Sequence, residues 1–340
     1  MAGETLRRPY EGWLDLVKLF ACILVALGHL LQSFVSSGIM QSTPNVQRFL
    51  EVIYYFHVPL FFLCSGYLHK KSPAVRSLKS YGCHVLRKLI ALGVPYLVFS
   101  FLTWLMKVFA AGSVNTSTDG LLNTLLAKPL SPYWYLYILF FMFLITPTFR
   151  KTWGVLVAMV LAVGLRITGS KVDTGIYLVE KLMENELWFV LGMVLASVDI
   201  TRFIRKYWSI PAGSLLVAAF LWAALRESRP VPLYVMTASM LLGICLLAMS
   251  VTRYPAKFAV TGRITLAVFL MHTLFAAPVR IALQKIGVES TGVHMACGIL
   301  ASFACPIVAS FIMSKTKYLD FLLYPGKYWK PFAGKIRKEC

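Results

Sequence analysis

Leu14-Asp15-Leu16-Val17-Lys18-Leu19-Phe20-Ala21-Cys22-Ile23-Leu24-Val25-Ala26-Leu27-Gly28-His29-Leu30-Leu31-Gln32-Ser33-Phe34 is the stretch that decides the fold. Apart from a few polar positions it is apolar, and it is long enough for a bilayer span, which takes roughly 20 such residues. Two charges inside it, and no small-residue cleavage motif after it, read it as a retained helix rather than a cleaved leader. Working outward, apolar runs between charged or Pro/Gly-rich breaks recur at 49–68, 86–106, 132–148, 153–168, 177–198, 209–225, 231–250, 260–280 and 293–313. The expected fold class is all-α: a polytopic transmembrane helical bundle of about ten spans. It should form a single membrane-embedded domain over 1–340. The segment 315–340 is basic and aromatic (Tyr318, Tyr324, Tyr328) and reads as a short cytoplasmic tail at the membrane interface.

Composition agrees. The 340 residues are 58% hydrophobic and only 14% charged, with a mean hydropathy of +0.71. Soluble domains carry about a quarter charged residues, so this chain cannot cover itself with a solvated surface. A net charge of +20 could attract nucleic acid, but in a membrane chain Lys and Arg mark cytoplasmic loops, and no nucleic-acid partner is expected. With the N-terminus inside, 23 of the 34 basic side chains fall in inner segments and 10 in outer ones, with Lys18 intramembrane. That bias places both termini in the cytoplasm. Cys22, Cys64, Cys83, Cys245, Cys297 and Cys305 lie in or beside apolar runs and read as packing residues, with neither a CxxC pair nor a metal spacing.

Ionisable side chains inside a span are expensive and mark candidate function. At about 100° per residue, Lys18 and His29 differ by about 20° and Asp15 lies about 60° from Lys18, so the three share one face. His29 stands roughly 16 Å along the helix from Lys18, in the outer half of the membrane, with Lys18 near the inner leaflet. Asp15 and Lys18 also suit an ordinary i,i+3 pair with the lysine snorkelling. The second span contains Phe56-His57-Val58-Pro59-Leu60-Phe61-Phe62-Leu63-Cys64-Ser65-Gly66-Tyr67. Pro59 removes a backbone donor, Gly66 allows close backbone approach, and His57 falls near the midplane. A packing histidine bonded to a freed carbonyl is the bland reading there.

These residues resemble the acyltransferase-3 family of bacterial membrane O-acyltransferases. The resemblance rests on the Lys18–His29 spacing and the Phe56–Tyr67 run. It extends to Trp134-Tyr135-Leu136-Tyr137, Phe189-Val190-Leu191-Gly192 and the segment from Gly262 to His272. The chain departs from the family where Lys18 stands in place of the more usual arginine, and it looks like the stand-alone type without an extracytoplasmic esterase-like domain. The resemblance implies transfer of an acyl group, usually acetyl from cytoplasmic acetyl-CoA as co-substrate, to a hydroxyl of an extracytoplasmic saccharide or lipid-linked acceptor. No permanently bound cofactor or metal is implied, and the location implied is a bacterial cytoplasmic membrane.

His29 would then be the catalytic base, its imidazole titrating in a useful range, and His57 would be a second base or orient the donor. Lys18, Lys70, Lys71, Arg87, Lys88 and Arg150 are the candidates for holding CoA phosphates. The loop cations also suit plain positive-inside sorting. Glu184 and Glu186 at the outer mouth of the sixth span, Trp134, and His272 are candidates for the acceptor. Asp15, Ser65 and Gly66 would give structural support. Two other readings stay open: an ion-coupled transporter or flippase, since intramembrane Asp, Lys and His also mark ion pathways, and a non-catalytic envelope assembly factor.

Overall fold

The computed structural model describes residues 11–73, 75, 77–110, 119–149, 151–198, 207–225, 232–251 and 261–328. Arg150, both chain ends and part of the basic tail lie outside these. Among the described residues the regular structure is helical, without strands. The helices are α1 (Gly12–Ser36), α2 (Pro44–Lys70), α3 (Leu78–Lys88), α4 (Val94–Phe109), α5 (Trp134–Ile145), α6 (Thr152–Gly169), α7 (Tyr177–Ser197), α8 (Ser209–Ala224), α9 (Leu233–Val251), α10 (Thr261–Lys285), α11 (Thr291–Met313) and α12 (Lys317–Leu323). A π-helical turn, Leu89–Gly93, joins α3 to α4 without a break.

Each expected span meets a helix. Among the described residues, seven helical stretches are long and apolar enough to cross a membrane: α1, α2, the joined α3–α4, α6, α9, α10 and α11. The third begins earlier than expected because Ser77 and Ser80 form a reciprocal capping box that starts the helix at Leu78. By contrast, α5 stops early at Thr146, whose ψ of 113° is extended. Pro147 follows, and the residue before a proline is pushed out of the helical region. The chain at α7 is long enough, but Glu180, Lys181, Glu184 and Glu186 crowd its first half, while Leu187–Met193 is buried.

Lipid gives helices no hydrophobic reason to associate, so close packing holds them together. The seam between α2 and α7 is the tightest. A Cβ on Gly66 would stand 1.8 Å from the Phe189 carbonyl oxygen, and one on Gly192 would stand 1.9 Å from that of Leu63. Helices α8 and α9 meet similarly at Gly213 and Gly243. Around this frame α1 packs on α2, α9 and α10, so the first, second and tenth helices bring their histidines into one region.

The described part of the tail folds as the α12 turn and a 3-10 turn (Pro325–Tyr328) docked at the start of α10. Asp320, almost fully buried, accepts bonds from Arg263 Nη2 (3.1 Å), Lys327 Nζ (2.6 Å) and Tyr328 Oη (2.8 Å). Tyr324 donates to the Arg263 carbonyl at 2.6 Å. One sequence expectation is corrected here. Cys22, Cys64, Cys245, Cys297 and Cys305 are free thiols, but Cys83 is disulfide-bonded rather than a packing residue. It sits on α3, which has no fully buried residue.

Candidate active site

The α1–α2–α10 junction sets His29 and His272 face to face, ring centroids 5.4 Å apart and 29° from parallel. Tyr54, one turn before His57 on α2, has its ring nearly perpendicular to those of both His57 (4.7 Å) and His29 (6.2 Å). Its hydroxyl donates to Gln32 Oε1 at 2.8 Å. The α-helix fixes two of the three imidazoles. His57 Nδ1 lies 2.7 Å from the Ile53 carbonyl, and His272 Nδ1 lies 3.0 Å from that of Val268. A carbonyl only accepts, so both Nδ1 atoms carry the proton and each Nε2 is left as an acceptor. His29 Nε2 lies 3.3 Å from the hydroxyl of Ser131, in the segment leading into α5.

His29, Tyr54, His57 and Ser131 open on one cavity of about 290 Å3. Its other walls include Trp134 from α5, Arg166 from α6, Lys181, Glu184 and Asn185 from α7, and Thr237 from α9. Those polar groups are organised among themselves. Lys181 pairs with Glu184 at 2.6 Å and stands 5.8 Å from the centroid of the Trp134 ring. Arg166 donates to the Glu184 carbonyl at 3.2 Å, and Asn185 donates to that of Lys181 at 2.9 Å. An aromatic face with flanking carboxylate, amide and cationic groups is suited to a hydroxyl-rich molecule. Among the described residues no group of three His, Cys, Asp or Glu side chains is arranged to hold a metal.

The sequence candidates are divided by this geometry. His29, His57, Trp134 and Glu184 meet in the cavity. His272 lies behind His29, 1% exposed, and is not part of the lining. Glu186 is corrected: it does not share a mouth with Glu184. Two residues along a helix is about 200° of turn, and the carboxylate is buried against α5, accepting from Thr146 Oγ1 at 2.6 Å. Lys18 pairs with Asp15 at 3.5 Å, and the level between it and His29 is filled by the buried Cys22, Val25, Leu60, Phe61 and Cys64. Ser65 contacts the Tyr135 hydroxyl at 3.0 Å, tying α2 to α5.

The cations expected to hold CoA phosphates are unequally disposed. Lys70 donates to the Phe149 carbonyl at 2.6 Å, and Lys88 stands 3.3 Å over the Phe143 ring. Lys71 and Arg87 are exposed. Arg150 lies outside the described residues. Sequence reasoning missed Tyr54, Ser131, Lys181 and Asn185. For Tyr54 the signal was present, because a side chain three positions before His57 shares its helix face. Ser131 lies in a loop, where no periodicity points. Also unforeseen were His69 and His84, whose rings lie 5.7 Å apart beside Phe143.

With this geometry in view, a family model described as an acyltransferase domain matches residues 11–311. The chain belongs to that acyltransferase family. The matched region contains every residue of the cavity. It is also similar to two curated proteins, each described as nodulation protein NolL. The protein from Mesorhizobium japonicum is 30% identical over 131 residues, covering 38% of this chain and 34% of the relative. The one from Sinorhizobium fredii is 33% identical over 138 residues, covering 40% and 35%. The chain thus spans about a third of the length of these relatives. No solved structure matches this chain.

Proposed function

We propose that this acyltransferase moves an acetyl group from acetyl-CoA, supplied on the cytoplasmic side, to a hydroxyl of an extracytoplasmic saccharide or related envelope acceptor. The observation that carries the reading is the cavity itself. It joins one imidazole whose Nε2 reaches a hydroxyl, His29, to a second with its tautomer fixed, His57. Aromatic and polar groups suited to sugar hydroxyls face them. In the proposed step the acceptor oxygen attacks the thioester carbonyl carbon while its proton passes to His29 Nε2. The carbon–sulfur bond then breaks, and the departing CoA thiolate takes the proton back from the imidazolium. Ser131 sits where the acceptor hydroxyl would bond, holding His29 in register until it is displaced. Lys71 and Arg87 offer exposed charge for the CoA phosphates, and Lys18, held by Asp15, adds a third cation for them.

His29→Ala tests this. A general base contributes on the order of 10²–10⁴-fold in rate, so acetyl transfer by purified protein should fall by that range while the chain still inserts and elutes as folded protein. Mass spectrometry of envelope glycans from cells carrying each form should show the acetyl mass lost with His29→Ala. Near-full turnover by the variant would remove His29 from the chemistry. Tracer uptake that continues without acetyl-CoA would favour a transporter instead.

A further inference from the structure

A second cavity meets His29 from its other side. It measures about 660 Å3, lies between α1, α4 and α10, and shares His29 and Ser131 with the first. Ligand sites run to roughly 300–1,000 Å3, so this one is large enough to be occupied. Its long wall is apolar, from Met106 on α4 to Leu274, Ala277 and Ile281 on α10. Lys107, Arg280 and Lys285 also line it, and among the described residues no carboxylate does. Arg280, 5% exposed, follows His272 by eight positions on α10, or about 12 Å of helix rise. The cations therefore gather at one end, His29 stands at the other, and the apolar wall runs between.

That layout is amphiphilic and positive. Lys107 and Lys285 lie in the last turns of α4 and α10, with Arg280 five positions before Lys285, on the side to which the sequence bias assigns only 10 of 34 basic residues. Basic residues are sorted away from that side, so a cluster of them over an apolar trough calls for a reason. We propose that the cavity holds one anionic phospholipid of the surrounding bilayer. Its phosphate sits among Lys107, Arg280 and Lys285, and an acyl chain runs down the wall to Ser131 and His29. Ammonium and guanidinium groups make charge-assisted bonds to phosphate, and an anionic head balances more of the cluster than a zwitterionic one. The chain also covers the open side of His29 and keeps water from competing with the acceptor hydroxyl. That consequence rests on the proposed function; the lipid site does not.

The test is native mass spectrometry of the full chain in non-ionic detergent, titrated with dioleoyl phosphatidylglycerol, dioleoyl phosphatidylcholine or glycerol phosphate. One phosphatidylglycerol should be retained per chain, with phosphatidylcholine and glycerol phosphate clearly weaker. Lys107→Gln with Lys285→Gln should weaken binding about fivefold per lost cation, roughly 30-fold for the pair. Ala277→Trp, which fills the trough and leaves every charge in place, should block it independently. Equal affinity for the two lipids, glycerol phosphate binding as tightly as the whole lipid, or binding unchanged in both variants would each overturn the site. His29→Ala should keep phosphatidylglycerol. A chain that binds it here yet transfers no acyl group would overturn the proposed function and leave the lipid site standing.

Discussion

At the residue scale, the division of labour along α1 follows from helix rise. Lys18 and His29 share a face but stand roughly 16 Å apart, so one side chain cannot do the work of both. If Lys18 positions the donor, Lys18→Ala should raise the KM for acetyl-CoA several-fold with a smaller change in kcat. His29→Ala should mainly lower kcat. Lys18→Arg keeps the charge and should retain most activity. Asp15→Asn should partly mimic Lys18→Ala, because the Asp15 carboxylate stands 3.5 Å from the lysine. The double substitution should then cost less than the sum of the two singles, as residues sharing a contact do. Steady-state kinetics in proteoliposomes check this, and an unchanged donor KM in Lys18→Ala would leave Lys18 as a structural partner of Asp15.

At the scale of elements, the α2–α7 seam is set by absent side chains. The Phe189 carbonyl occupies the space a Gly66 Cβ would need, and backbone cannot swing aside as a side-chain tip can. Gly66→Ala should destabilise the protein by about 1–3 kcal/mol, the usual range for overpacking, seen as a lower melting temperature in detergent. Gly164→Ala, on the exposed side of α6 with nothing near its Cβ position, should instead be neutral or slightly stabilising. Equal melting of the two variants would show that the seam tolerates separation.

The α12 clasp is electrostatic. Burial pushes the Asp320 carboxyl up, but the bonds from Lys327 and Tyr328 and the charge of Arg263 outweigh it and hold the carboxyl below its ordinary range. A depressed folded value means the clasp contributes above the unfolded value of about 3.9 and loses that contribution as pH falls through the native value. Amide-exchange protection of 317–323 should therefore be flat above about pH 4 and decline below it. In Asp320→Asn the protection should be reduced at neutral pH, and its acid dependence removed. Full protection in that variant would assign the docking of α12 to packing instead.

At the scale of the whole molecule, the expectation of about ten spans imposes a testable alternation. Lys79 at the start of α3 and Lys171 after α6 are both exposed and are separated by three crossings: α3–α4, α5 and α6. They should face opposite sides of the membrane, with position 79 cytoplasmic if the basic bias sets the orientation. An impermeant thiol reagent applied to intact cells should then label a cysteine at position 171 but not one at 79, in a cysteine-free background. Labelling of both from outside would undo the helix count between them.

Sequence reading alone established that this is a membrane-spanning helical protein, which stretches are helical, though not the early start of the third, and that His29 and His57 stand out. Those properties are local. Apolar length, a proline and an ionisable group inside a span are costs charged by the bilayer to each segment separately, so they can be read one segment at a time. Which groups meet is different. Trp134 and Glu184 stand with His29 only because α5 and α7 close against α2, and Glu186 is turned away by two residues of helical rotation. Lys70 and Lys88 engage partners on or beside α5, Phe149 and Phe143, that no spacing in their own segments specifies. Ser131 reaches His29 across 102 positions of chain. The cavities, and the pairing of polar groups around them, are decided by helix packing, because in lipid the contact between two faces depends on close fit rather than on how apolar either face is.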